Sequence, residues 1–158
     1  MKWYKRTIVF SIGLGLELLF AIVTAFLIRE NKAWVESLAL PYFAPTSPLV
    51  FALLGEVMYV LSALSLSAFT KQLSDLPRGI LSILAEGITE IVFLLFFFKL
   101  TYEITSFFIA TGCLIVSFSN LWQFAKKGIA ASLLRLPIVQ IKVYFWMLVY
   151  CVLMLNFT

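Results

Sequence analysis

Five ionisable residues lie inside long apolar stretches of this sequence, and they are its best candidates for chemistry: Glu17, Glu56, Glu86, Glu90 and Lys142. Each such group costs roughly 2.5–3.5 kcal/mol at the centre of a membrane helix, so we expect all five to face a bundle interior and find partners. Protonated carboxyls can donate hydrogen bonds or relay protons. The pattern therefore fits hydrogen bonding between helices, contact with a polar ligand, or a proton-linked pathway.

The spacing of these residues predicts one specific ion pair. Glu86 and Glu90 are four residues apart and share a helix face. Glu86 lies six residues past Ile80 and Lys142 six residues past Leu136, both about 9 Å from the inner end at 1.5 Å rise per residue, so we expect them to pair. Glu17 and Glu90 lie about 15 Å in, near the midplane. With one cation for four carboxylates, three negative charges would lack compensation, and some carboxyls should be protonated.

Other kinds of site chemistry have little support in the sequence. The chain has no His, and its two cysteines, Cys113 and Cys151, lie within apolar runs, where they are expected to be buried free thiols. Neither a hydrolytic constellation nor a set of metal ligands is visible. We expect no metal, no cofactor and no enzymatic activity of these kinds.

The composition shows which solvent surrounds the chain. Of its 158 residues 63% are hydrophobic, with a mean hydropathy of +1.04, which is more apolar surface than a soluble domain of this length can bury. The sequence predicts a single all-α membrane domain, a bundle of five transmembrane helices. The first apolar run has 22 residues and contains Glu17, so it is expected to be retained and not cleaved as a signal peptide. The predicted helices span residues 7–28, 48–69, 80–98, 104–124 and 133–157.

The distribution of Lys and Arg predicts the orientation. Five spans place the termini on opposite sides, and eight basic residues, Arg135 among them, lie on the N-terminal side against three on the other. This imbalance predicts an N-terminus inside and a C-terminus outside, without specifying which membrane. The lipid bilayer is the expected surrounding, and nucleic acid is not an expected partner.

The longest connection, residues 29–47, is stiff and aromatic. Pro41 and Pro45 within it, and Pro48 at the start of the next helix, fix φ and remove backbone donors, while Trp34 and Phe43 are among its aromatic side chains. Such a segment can be an interfacial linker, or a lid over the outer mouth of the bundle.

This loop resembles that of the translocator protein family (TspO, the peripheral benzodiazepine receptor group), which are five-helix membrane proteins. The family's first loop typically reads W-Y-x-x-L-x-K-P-x-W-x-P-P, followed by W-x-x-L-Y in the second helix. Four family positions are kept without a gap: Trp34, Leu38, Pro41 and Pro45. Other positions differ, among them Leu40 for the Lys, Phe43 for the second Trp, Thr46 for the second paired proline, and Leu54 for the helix-2 Trp.

The last and third helices agree with the family in spacing more than in side chains. The family's fifth helix reads P-Y-x-x-W-x-x-F-A-x-x-L-N with a terminal Asn, and Pro137, Leu148 and Asn156 fit it. Other signature positions are replaced, by Ile141, Tyr144 and Val149 in the fifth helix and by Thr89 and Val92 in the third, where Phe96 and Phe97 keep a family pair.

The resemblance implies a membrane receptor or binding protein that encloses a hydrophobic or amphipathic small molecule beneath the first loop, with possible links to its transport or signalling. It implies a lid and a pocket wall, at Trp34, Pro41, Phe43 and Pro45 and at Leu54, Thr89, Phe97, Ile141 and Phe145. Because both family pocket tryptophans are aliphatic here, light-dependent porphyrin breakdown is not expected. An aliphatic pocket favours a sterol-like or isoprenoid ligand over a porphyrin or other tetrapyrrole.

Two other functions stay open, a small proton-coupled transporter that uses the glutamates and a membrane assembly subunit without a ligand. Oligomeric state is also open. Family members are similar in forming dimers, and the small-residue pairs Ser11/Gly15 and Ala21/Ala25 on the first helix could serve a homodimer or packing within the chain.

Overall fold

The computed structural model describes residues 3–30, 36–45 and 48–157, and this part of the chain contains helices but no strand. Long apolar runs in lipid must satisfy their backbone hydrogen bonds internally, which is why each becomes a helix. The five long helices of the described residues are α1 (Trp3–Glu30), α2 (Pro48–Phe69), α3 (Leu76–Leu94), α4 (Glu103–Ala125) and α5 (Ile129–Phe157).

The helix bounds lie close to those predicted. Helix α2 spans the predicted residues 48–69, and α1, α4 and α5 extend beyond their predicted ends by one to four residues. Helix α3 starts four residues early, after a 3₁₀ turn at Leu73–Asp75, and passes into a π-helical turn at Leu95–Lys99. Helix α5 runs from Ile129 through Pro137 to Phe157 and so starts four residues before the predicted residue 133.

Four helices, α1, α3 with its flanking turns, α4 and α5, are long and apolar enough to cross a bilayer. The apolar part of α2 among the described residues, Leu53–Phe69, is shorter. This is the architecture of a multi-pass membrane protein. Helices α1 and α2 run antiparallel: Ser67 near the end of α2 donates a hydrogen bond to the carbonyl of Arg6 at the start of α1, with an oxygen separation of 3.3 Å.

The helices form a closed ring in the order α1, α2, α5, α4, α3, in which neighbours pack together. Two glycines of α3 permit its closest contacts. A β-carbon at Gly79 would lie 2.4 Å from Leu66 of α2, and one at Gly87 would lie 2.4 Å from the ring of Phe20 in α1. These positions therefore set how near α3 approaches its two neighbours.

The small-residue pairs predicted on α1 do not make these contacts. Ser11, Gly15 and Ala25 are exposed on the described bundle, and a β-carbon added at Gly15 would meet nothing within 4 Å. The close approach of α1 to α2 occurs at Gly13, whose added β-carbon would lie 3.2 Å from the backbone of Ala63.

Helices α4 and α5 are joined through aromatic side chains. The indole Nε1 of Trp146 donates to the hydroxyl of Thr111 at 3.0 Å, and the Trp146 ring stacks on Tyr150 with centroids 6.3 Å apart. Phe107 of α4 packs 5.5 Å from the Trp146 ring. This seam holds α5 in register with α4, so that the polar residues of both helices face the same interior.

Candidate functional site

Glu86 of α3 is the centre of a buried charged cluster, which consists of Glu17, Glu86, Glu90, Arg135 and Lys142. Its side chain is only 8% exposed. The hydroxyl of Ser117 donates to its carboxylate at 2.5 Å and the amide of Asn120 donates at 3.2 Å, both from α4. A buried carboxylate needs such donors as well as counter-charges to offset its desolvation.

Lys142 of α5 supplies one of the counter-charges. Its Nζ lies 3.0 Å from Glu86 and 3.4 Å from Glu90, so one ammonium bridges two carboxylates on adjacent turns of α3. The predicted Glu86–Lys142 pair is confirmed. The two side chains pair because both must avoid lipid and the bundle interior is where they can do so.

Arg135 supplies the second counter-charge, which the sequence reading missed. Its side chain is 1% exposed, its Nη1 is paired with Glu86, and its guanidinium lies over the ring of Phe124 with 4.4 Å from Cζ to the centroid. Counting Arg135 among the basic residues flanking the last helix was wrong. Because α5 begins at Ile129, the residue lies about 9 Å inside the helix at 1.5 Å per residue.

The guanidinium of Arg135 is only partly satisfied. Its Nε and Nη2 atoms are buried and have no hydrogen-bond partner among the described residues. These two atoms form one edge of the planar group, the edge that presents two parallel N–H bonds. We call this pair of donors the free edge of Arg135.

Glu17 brings α1 into the cluster. It is 6% exposed and faces Ser62 of α2. Among the ion pairs of the described residues, Glu17 has no cation partner. A buried carboxylate without a paired cation lacks the counter-charge that offsets its desolvation.

The sequence prediction of three uncompensated negative charges inside the bundle was too high. Glu56 is exposed on α2, so the prediction that every intramembrane glutamate faces inward is wrong for this residue. The cluster therefore contains three carboxylates and two cations. If Glu17 holds a proton, the cluster is neutral, which is the charge state that a low-dielectric interior favours.

A second region, the described part of the first loop at residues 36–45, lies against the opposite end of the bundle. The side-chain amide of Asn156, near the end of α5, hydrogen-bonds the backbone of this loop in the way a neighbouring backbone segment would. Its Oδ1 accepts from the amide of Ala39 at 2.8 Å, and its Nδ2 donates to the carbonyl of Ala39 at 3.0 Å. Nδ2 also donates to the carbonyl of Val152 at 2.8 Å, which fixes the side chain.

Phe43 provides the second attachment of this loop. The hydroxyl of Tyr144 donates to the Phe43 carbonyl at 3.2 Å, and the two rings meet edge to face with centroids 6.3 Å apart. A turn in which the amide of Ala44 donates to the carbonyl of Pro41 at 2.9 Å buries both of these residues. The loop therefore lies against the C-terminal ends of α3 and α5 and not away from the bundle.

The predicted pocket residues fall into two groups. Phe97 is buried beneath the loop, in an apolar cluster with Ala44, Leu148, Val149 and Val152. Leu54, Thr89, Ile141 and Phe145 are half-buried. Thr89 lies beside the charged cluster, donating its hydroxyl to the backbone carbonyl of Glu86 at 2.9 Å.

Two further lid residues were predicted, Trp34 and Pro45. Pro45 is half-buried at the end of the described loop. Trp34 and Thr46 lie outside the described residues. Tyr42, by contrast, is fully exposed beside Phe43, with ring centroids 5.5 Å apart.

The described residues contain no group of three or more His, Cys, Asp or Glu side chains that could hold a metal ion. Both cysteines are free and half-buried. No family model and no curated protein matches this chain.

Proposed function

We propose that this protein is a membrane receptor for a hydrophobic or amphipathic small molecule, held inside the helix bundle under the first loop, and that it is a divergent relative of the translocator protein group. The observation that supports this most directly is the attachment of the loop by Asn156 and Tyr144 over the ends of α3 and α5. A loop fixed at two points can enclose a ligand and open when those contacts break.

The chemistry of the half-buried side chains favours a lipid-like ligand. Leu54, Ile141 and Phe145 offer aliphatic and aromatic surface, and Thr89 offers one hydroxyl. Pockets of this composition obtain affinity from apolar contact and orientation from a few polar groups. A sterol-like or isoprenoid molecule fits better than a porphyrin, and the absence of tryptophan at positions 54 and 141 argues against porphyrin breakdown.

Fluorescence quenching tests ligand binding. The full-length protein in mild detergent is titrated with a porphyrin, a sterol and an isoprenoid, and the Trp34→Phe variant shows which part of the signal comes from the loop. We expect saturable quenching by at least one ligand, most of it lost in Trp34→Phe. Absence of saturable quenching by all three would contradict the proposal and favour a membrane assembly subunit.

The charged cluster supports a second candidate function, a proton-coupled carrier. One carboxylate more than the number of cations, buried between five helices, is an arrangement that can gain and lose a proton within the membrane. Uptake of the ligand found by quenching is measured in proteoliposomes with and without a pH gradient. A carrier is supported if uptake needs the gradient and is lost in Glu90→Gln. The exposed control Glu56→Gln should keep its uptake. Uptake that is insensitive to the gradient contradicts a carrier.

A further inference from the structure

The free edge of Arg135 consists of two buried hydrogen-bond donors that have no partner among the described residues. A buried donor without a partner costs about 1–3 kcal/mol, and more when the group is charged. Arg135 leaves two adjacent donors in this state while its third nitrogen, Nη1, is held by Glu86. The stack on Phe124 fixes the plane of the guanidinium, so the direction of the edge is set before any partner arrives.

The geometry of this edge points to a carboxylate. Two parallel N–H bonds match the two oxygens of one carboxylate in the bidentate arrangement, and a charge-assisted pair of this kind is roughly twice as strong as a neutral hydrogen bond. Arg135 lies nine residues before Tyr144 on α5, about 14 Å at 1.5 Å per residue. A ligand that extends inward from the loop over that distance would bring its polar end to the edge.

Glu17 is the intramolecular competitor for the same edge. It is the buried carboxylate of the cluster that pairs with no cation among the described residues. Phe20, about one turn along α1 from Glu17, lies against Gly87, the neighbour of Glu86, so Glu17 lies at the level of the Glu86–Arg135 pair. The groups that face Glu17 from other helices are the Tyr59 and Ser62 hydroxyls of α2, Glu86 and Glu90 of α3, and Arg135 of α5. Two of these are acidic residues that repel an ionised Glu17, and Arg135 is the cation that would attract it.

We propose that the free edge of Arg135 is a carboxylate-binding site with proton-dependent occupancy. When Glu17 is protonated, the edge accepts the carboxylate of an amphipathic ligand; when Glu17 is ionised, its own carboxylate takes the edge and the ligand leaves. Binding one ligand carboxylate with uptake of one proton leaves the net charge of the cluster unchanged. The inference rests on the proposed small-molecule function and specifies the ligand's polar group.

The test compares retinoate with retinol, an isoprenoid carboxylate and its matched alcohol, on the full-length protein between pH 6 and pH 8. We expect the wild type to bind retinoate more tightly than retinol at pH 6. Its preference for retinoate should weaken as the pH rises, by at most about tenfold per pH unit, the limit for one linked proton. In Glu17→Gln the preference should stay high across the range, because the competitor cannot ionise.

Arg135→Lys keeps the positive charge but lacks the two-donor edge, so it should bind both ligands alike. Retinol binding without any preference for retinoate in either wild type or Glu17→Gln would overturn this inference and leave the proposed function standing. A pH response as large in Glu17→Gln as in wild type would overturn the role of Glu17. Failure of both ligands to bind would overturn the inference together with the proposed function.

Discussion

At the scale of the residue, Glu86 is the anchor of the interior. Its carboxylate meets Lys142 at 3.0 Å, is paired with Arg135, and accepts hydrogen bonds from Ser117 and Asn120. Two cations from one helix therefore depend on one carboxylate from another. The folded state binds α3 to α5 through this residue more than through any other described polar contact.

Replacing Glu86 with Gln should therefore destabilise the protein by about 3–5 kcal/mol, since the change leaves two buried cations with one remaining carboxylate partner. Unfolding in mixed detergent, followed by circular dichroism, measures the loss. Glu56→Gln is the matched control on the exposed face of α2 and should change the free energy of unfolding by less than about 0.5 kcal/mol. Equal stability of Glu86→Gln and Glu56→Gln would contradict the role of Glu86.

The partners of these residues were predictable to different degrees. Glu86 and Lys142 could be paired from sequence because both lie well inside long apolar runs at equal depth. Arg135 could not, because its assignment depends on where α5 starts, and apolar residues continue on both sides of the predicted start at residue 133. Glu17 was correctly expected to be buried, whereas Glu56 shows that an ionisable residue in a span can also lie on its outer face.

At the scale of the element, glycines position α3. A β-carbon at Gly87 would lie 2.4 Å from the Phe20 ring, so Gly87→Ala forces either the ring or the helix to move. We expect a loss of about 1–3 kcal/mol in the free energy of unfolding, the usual range for overpacking. Gly112→Ala on α4 is the control, since its added β-carbon meets nothing within 4 Å and alanine favours helix. A neutral Gly87→Ala would show that the α1–α3 contact is looser than described.

Sequence reasoning identified all five helices because hydropathy and length determine them, but it did not identify which small residues mediate packing. Ser11 and Gly15 have the spacing of a packing motif yet are exposed, while Gly13, between them, meets α2. The face that a membrane helix turns inward depends on its rotation about its axis. An almost uniformly apolar helix such as α1 carries little periodic signal to set that rotation.

At the scale of the whole molecule, the two ends of the bundle have different characters. The end that bears the first loop is apolar and closed by Asn156 and Tyr144, and the interior toward the other end holds the charged cluster. Because Arg135 is buried in the interior, the basic residues predicted on the N-terminal side number seven and not eight, and those on the other side number three. The imbalance still predicts an N-terminus inside.

The central claim is that a small molecule is held under the first loop, and native mass spectrometry of the protein released from mild detergent tests it directly. The wild type should carry one bound molecule per chain. Asn156→Ala should lose it, since two hydrogen bonds of about 0.5–1.5 kcal/mol each no longer fasten the loop. Thr111→Val, which removes a hydrogen bond between α4 and α5 away from the loop, should retain it. A wild-type chain free of any adduct, or equal retention in all three proteins, would contradict the account.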